Sequence, residues 1–172
     1  MSRSSTPHIY VASLADYNAG HLHGRWIDAD QSADEILAEI GAMLAASPIA
    51  GAEDYAIHDS EGFGGIRLAE SLDLEDVVKL AELVTEHPPE LVEHFDGEGY
   101  APIEIAEQIA EHLRGIYESL ADYADEWIGD SLPAHLREYR WSLAQAIASD
   151  WEDSGNYLTI RTHDGVAVLT ND

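Results

Sequence analysis

The chain has 172 residues, 45% of them hydrophobic, and carries 34 Asp and Glu against eight Lys and Arg, a net charge of −26. That apolar fraction can bury a sizeable core, so global disorder is excluded and one domain or a few small ones is expected. A surface this acidic repels phosphate, which excludes direct binding to nucleic acid or to an anionic membrane.

The absence of cysteine removes disulfides and thiolate metal sites. Met1 to Tyr17 lacks a sustained apolar core and a small-residue cleavage pattern, so no signal peptide is expected. The longest uncharged run, Ile40 to Ala52, is too short and too broken by Gly and Pro to span a bilayer. A soluble, cytoplasmic protein follows. Its expected partners are basic proteins, cations or the positively lined grooves of DNA-handling enzymes.

Residues 8–14 read as a strand rich in β-branched and aromatic side chains. Asp16 to Gly20 carries turn chemistry, and Leu22 to Asp28 reads as a second strand with Leu22, Gly24 and Trp26 on one face. Asp34 to Ala45 places Ile36, Leu37, Ile40, Met43 and Leu44 at helical spacing. Ser32 caps that helix, and Glu35 three residues on completes a capping box. Tyr55 to Asp59 is a short third strand, and the glycine-rich Glu61 to Gly65 closes a small α+β module.

The period then becomes helical. Leu74, Val77, Val78, Ala81 and Val84 form one apolar stripe, with Asp73 as cap and Glu75 and Asp76 in the first turn, where the macrodipole favours negative charge. Pro88-Pro89-Glu90 starts a Pro-led helix that includes Leu91, Val92 and Phe95. After a break at Asp96 to Gly99, a further helix keeps Ile105, Ile109 and Leu113 inside. Glu104, Glu107 and Glu111 then share its outer face.

Gly115 to Tyr117 is a candidate strand. Ser119 caps the next helix, with Leu120, Tyr123, Ala124 and Trp127 inward and Glu118, Asp122, Asp125 and Glu126 repeating the exposed acidic row. Leu136 to Trp151 reads as a helix with Trp141, Ala144, Ala148 and Trp151 near one stripe. Asn156 to Thr162 and Val166 to Leu169 flank the turn His163-Asp164-Gly165, a hairpin signal.

No catalytic constellation stands out. Carboxylate pairs are everywhere, so none is singled out as an acid/base pair. His21-x-His23 lacks a third metal ligand, which favours surface or turn-stabilising histidines. Gly62-Phe63-Gly64-Gly65 lacks the lysine of a phosphate loop and reads as a plain flexible turn. No cofactor and no metal are expected, and the chain is not read as an enzyme.

Charge carries the reading instead. Glu70 to Asp130 holds 18 of the 34 acids against two bases, Lys79 and Arg114. A solvated helix face interleaves bases to gain i,i+4 pairs, and these helices almost never do. Composition alone leaves adaptation to high salt open beside imitation of phosphate. At one charge per roughly 1.7 Å of duplex, 26 net charges correspond to about 44 Å, on the order of 13 base pairs. A two-fold dimer doubles this to about 26 base pairs, comparable to the footprint of a large DNA-modifying enzyme.

Ile9-Tyr10-Val11-Ala12-Ser13-Leu14-Ala15-Asp16-Tyr17-Asn18-Ala19-Gly20-His21-Leu22-His23-Gly24-Arg25-Trp26-Ile27-Asp28 closely resembles the start of the ArdA family of antirestriction proteins. Glu53 to Asp59 is similar to a second signature of that family. The resemblance implies a DNA mimic that occupies the DNA-binding groove of type I restriction–modification enzymes and is encoded on mobile elements. It implies an elongated α+β protein of three small modules, dimeric through its C-terminal part. In this chain they are 1–65 (three-strand sheet plus helix), 66–113 (acidic helices) and 114–172 (helices plus β-hairpin). The family's antirestriction region is acidic and aromatic, whereas Tyr139 to Trp151 here has no acid before Asp150.

The phosphate-mimicking carboxylates expected to meet the partner are Glu70, Asp73, Glu75, Asp76, Glu82, Glu86, Glu90, Glu93, Glu104, Glu107, Glu111, Glu118, Asp122, Asp125 and Glu126. The alternative function is an acidic chaperone or adaptor for basic DNA-binding proteins.

Overall fold

Strand formation follows the β-branched runs at both ends of the chain. The structure, a computed structural model, describes residues 6–171; the leader-free reading of Met1 to Tyr17 falls partly outside them. Strands β1 (His8–Ser13), β2 (Gly24–Asp28) and β3 (Tyr55–Glu61) form an antiparallel sheet in the order β2-β1-β3. Ile9, Val11, Ile27 and Ile57 are buried on one face, and helix α2 (Ala33–Ala45) packs on β1 and β2 through Ile36, Ile40 and Met43. The expected capping box is present: Glu35 N–H donates to Ser32 Oγ at 3.3 Å, and Ser32 N–H donates to the Glu35 carboxylate at 3.0 Å.

Two details of this region differ from expectation. Residues Leu14–Asn18 form a short helix, α1, where a turn was expected. Ser13 Oγ caps it at the Asp16 N–H, and the Asp16 carboxylate, fully buried, accepts from Ser47 Oγ at 2.6 Å. Those two hydroxyls hold the Asp16 carboxyl below its usual range. The second strand starts at Gly24 instead of Leu22. The preceding backbone is tied down by the His23 ring, whose Nε2 lies 2.7 Å from the Met43 carbonyl oxygen, and Leu22 is left exposed.

The glycine-rich 62–65 segment is a packed corner rather than a loose turn. Phe63 is buried in the core, Gly64 adopts φ +65 against Pro89, and Gly65 lies under the Glu93 carboxylate. Helix α3 (Leu74–Glu86) buries Leu74, Val77, Leu80, Ala81, Leu83 and Val84, a broader face than the expected stripe, while Val78 is half-buried. Asp73 caps it by accepting the Glu75 N–H at 2.9 Å. Helix α4 (Pro89–Gly97) has its Pro start and buries Leu91, Val92 and Phe95.

These elements belong to the first of two compact units, Met1–Glu104; the second is Ile105–Asp172. Helix α5 (Pro102–His112) buries Ile105 and Ile109. Leu113, expected on its inner face, instead opens strand β4 (Leu113–Tyr117). The Leu113 backbone is needed there to pair with Leu169. β4 joins β5 (Tyr157–Thr162) and β6 (Gly165–Thr170) in an antiparallel sheet of order β4-β6-β5, with the expected hairpin at its edge.

Helix α6 (Leu120–Ile128) is capped by Ser119, and α7 (Arg140–Ser154) packs on it. The expected start of α7 at Leu136 is corrected: Ala134–Tyr139 is a 3-10 segment, tightened by the Leu136 N–H donating to the Pro133 carbonyl at 2.9 Å. Leu120, Ala124, Ala144, Ala148 and Val168 form the core here, with Tyr117, Tyr123, Trp151 and Tyr157 around it. The α6–α7 contact is made through Ala124, Ala144 and Ala148, and the Trp127 ring meets the edge of Trp151 at 5.7 Å. Trp151 packs at 4.5 Å from Tyr157, whereas Trp127 and Trp141, expected on apolar stripes, are 62% and 49% exposed. The described residues thus hold seven α-helices and two three-stranded sheets, the α+β class expected.

Candidate partner-binding surface

Helical amphipathicity decides where the acidic side chains point. On α3 and α4 the apolar residues face inward, which sends Glu75, Glu82, Glu86 and Glu93 to solvent. Glu70, Asp73, Glu104, Glu107, Glu111, Glu118 and Glu126 are also exposed, and Asp76, Glu90, Asp122 and Asp125 are half-buried. On α5, Glu104, Glu107 and Glu111 lie opposite Ile105 and Ile109 as the spacing predicts.

Several of these carboxylates have local duties. Asp73 caps α3. Glu82 pairs with Lys79 at 3.1 Å. Glu104 accepts the Ala101 N–H at 2.8 Å at the start of α5. Asp122 accepts from the Ser119 hydroxyl. Asp125 is held by Arg140 and departs most from the expected free row. Arg114, the other base of the acidic stretch, donates to the Glu111 carbonyl and to Thr170 Oγ1, both at 3.0 Å. Both cations are therefore spent within their own neighbourhoods.

The fold also gathers acids that lie outside the dense helical rows. The start of α2 and the outer face of α3 enclose a groove of about 410 Å³ lined by Asp30, Asp34, Glu75 and Glu82 around Val78. On the sheet, Asp28, Asp59 and Glu61 are exposed. Their signal was strand alternation: Trp26-Ile27-Asp28 and Asp59-Ser60-Glu61 place every second residue on one face.

The arrangement is suited to attracting cations. Among the described residues no group of three or more His, Cys, Asp or Glu converges for a metal ion. No described helix is long and apolar enough to cross a membrane. Burial and a hydrogen bond with Tyr157 push the Tyr123 hydroxyl up to about 12, and burial followed by the nearby Glu126 raises that of Tyr117. These tyrosines stay neutral and structural.

Residues 9–166 match the family model described as antirestriction protein (ArdA). The match spans most of the chain, and the chain belongs to the ArdA family of antirestriction proteins. Membership carries antirestriction function and an interaction with restriction enzymes. No curated protein matches the chain.

Proposed function

We propose that the protein is a DNA mimic, acting in the cytoplasm, that occupies the DNA-binding groove of type I restriction–modification enzymes and inhibits them without catalysis. One observation carries the reading: on α3, α4 and α5 the core is apolar and most carboxylates face solvent, almost without bases among them. Such rows offer Lys and Arg of a DNA-binding groove the charge that phosphates otherwise supply. The carboxylates from Glu70 to Glu126 that are not tied to a local cation form the phosphate-like surface. We further place a two-fold homodimer contact in the C-terminal part, a reading supported by the exposed Trp127, Tyr139 and Trp141.

Competition against labelled duplex on a type I methyltransferase tests the mimic. Displacement is expected at micromolar protein and low salt, weakening as salt rises. Failure to displace duplex from any such enzyme at low salt overturns the reading.

A further inference from the structure

The face of the N-terminal sheet opposite the one that α2 covers carries a cluster of rings. Register places Tyr10 opposite Trp26 and Asp59, and His8 opposite Asp28 and Glu61. Directly opposed residues point to the same side, so all six side chains share one face. The His8 and Trp26 ring centroids are 4.8 Å apart at 73°, and those of Tyr10 and Trp26 are 5.5 Å apart at 60°. Neither ring lies flat on the indole, and Trp26 keeps 41% of its surface open. The rings are flanked on both sides by carboxylates, and Glu61 approaches His8 Nε2 at 3.3 Å. Arg25, beside Trp26 in sequence, points to the other face and is held there by Glu39 at 2.9 Å.

An open indole with Asp28 two residues along its own strand, and with Asp59 and Glu61 across β1 on the same face, has a defined complement. Its π face and the surrounding charge attract a cation, and a planar guanidinium can stack on the ring while its N–H groups fork onto a carboxylate. A lysine ammonium has no such plane to stack. We propose that this sheet face is a docking platform for an arginine side chain displayed by a protein partner, with Trp26 as the stacking surface and Asp28, Asp59 and Glu61 as the fork acceptors. The platform refines the DNA-mimic reading, on which it rests for the supply of basic partners, by adding a contact that phosphate does not offer.

The full chain, isotopically labelled, is titrated at neutral pH with capped tripeptides of arginine, lysine and citrulline. The arginine peptide is expected to shift the Trp26 indole N–H resonance and the Asp59 and Glu61 amides. The neutral, isosteric citrulline peptide should leave them in place, and the lysine peptide should bind this face more weakly. Neutralising the acids in Asp28→Asn/Asp59→Asn/Glu61→Gln, which keeps the indole, should weaken arginine-peptide binding read at Trp26 about three-fold or more. Trp26→Leu, read at the Asp59 and Glu61 amides, should weaken it about two- to five-fold. Equal shifts with citrulline, equal affinity for lysine, an unmoved Trp26 resonance, or unchanged affinity in the triple variant overturns the platform. Duplex displacement by the wild-type chain is read separately. Displacement with an inert Trp26 removes the platform alone, and a responsive Trp26 without displacement removes the mimic reading alone.

Discussion

Arg140 closes a fork on Asp125: Nε reaches Oδ1 at 2.6 Å, Nη2 reaches Oδ2 at 2.7 Å, and Nη2 also reaches the Asp125 carbonyl oxygen at 2.8 Å. One guanidinium thereby joins α6 to the first turn of α7. The carboxylate is the principal cause that raises the Arg140 pKa further, and both side chains are only about one-third exposed. Arg140→Ala is expected to lower the thermal midpoint of the C-terminal unit by a few degrees. Arg140→Lys should recover part of that loss, because a point charge cannot reproduce the planar fork. Thermal unfolding followed by near-ultraviolet circular dichroism checks this through the tryptophans of that unit.

Three glycines separate steric need from conformational need. A Cβ on Gly24 would lie 2.4 Å from the Val11 carbonyl oxygen, which belongs to the neighbouring strand. Gly24→Ala should therefore cost about 1–3 kcal/mol by overpacking. Gly64→Ala combines φ +65 with a Cβ 2.7 Å from that of Pro89, and a cost of about 1–2 kcal/mol or more is expected. Gly97 ends α4 with open space around it. Alanine there should be neutral or stabilise by about 0.5 kcal/mol. Urea unfolding of the three variants gives the ranking.

Alkali should loosen the C-terminal unit in a defined window. The Tyr123 hydroxyl titrates near 12 when folded, because of burial first and its bond to Tyr157 second, against 10.0 for the free side chain. The folded state thus holds the proton over an interval in which the unfolded state has released it. This contribution to stability is complete below about 10 and falls as pH rises from about 10 to about 12. Spectrophotometric titration of tyrosinate should show a late component that Tyr123→Phe removes. Unfolding midpoints of that variant should decline less steeply across the same interval.

The row on α5 tests the mimic directly. Glu104→Gln/Glu107→Gln/Glu111→Gln removes three charges yet leaves an acceptor for the Ala101 N–H that Glu104 binds. Helical circular dichroism should be unchanged. Duplex displacement from a type I enzyme should weaken roughly three-fold or more, with a shallower dependence on salt. Unchanged displacement would reduce the row to a solvated helix face.

Local chemistry was the legible part of this fold. Ser32 with Glu35, Asp73, Ser119 and the Pro89 helix start each act within a few residues, and each appears where spacing placed it. The acidic row of α5 was equally readable, because Ile105 and Ile109 orient the helix. Outcomes set by distant partners were not. Leu113 left its helix for a strand because it pairs with Leu169, fifty-six positions away in numbering. Trp127 stays largely exposed at the rim of the α6–α7 contact, meeting only the edge of the Trp151 ring, while alanines fill the centre. Asp16 had turn chemistry in sequence, and its burial depends on Ser47, which approaches from beyond α2. The carboxylates of the sheet are not legible as a charge row, because strand alternation scatters Asp28, Asp59 and Glu61 through the chain and only pairing brings them to one face.

The near absence of bases among the outward carboxylates sets ionic strength against itself. Dissolved cations screen repulsion within a chain of net charge −26, so added salt should make the folded state harder to unfold. The same cations compete with the Lys and Arg of a partner, so added salt should loosen the complex. Stability and affinity therefore have slopes of opposite sign against salt. If the protein is the DNA mimic proposed above, it should work best at intermediate ionic strength, where its fold is already relieved of self-repulsion and its grip on a basic groove is not yet lost.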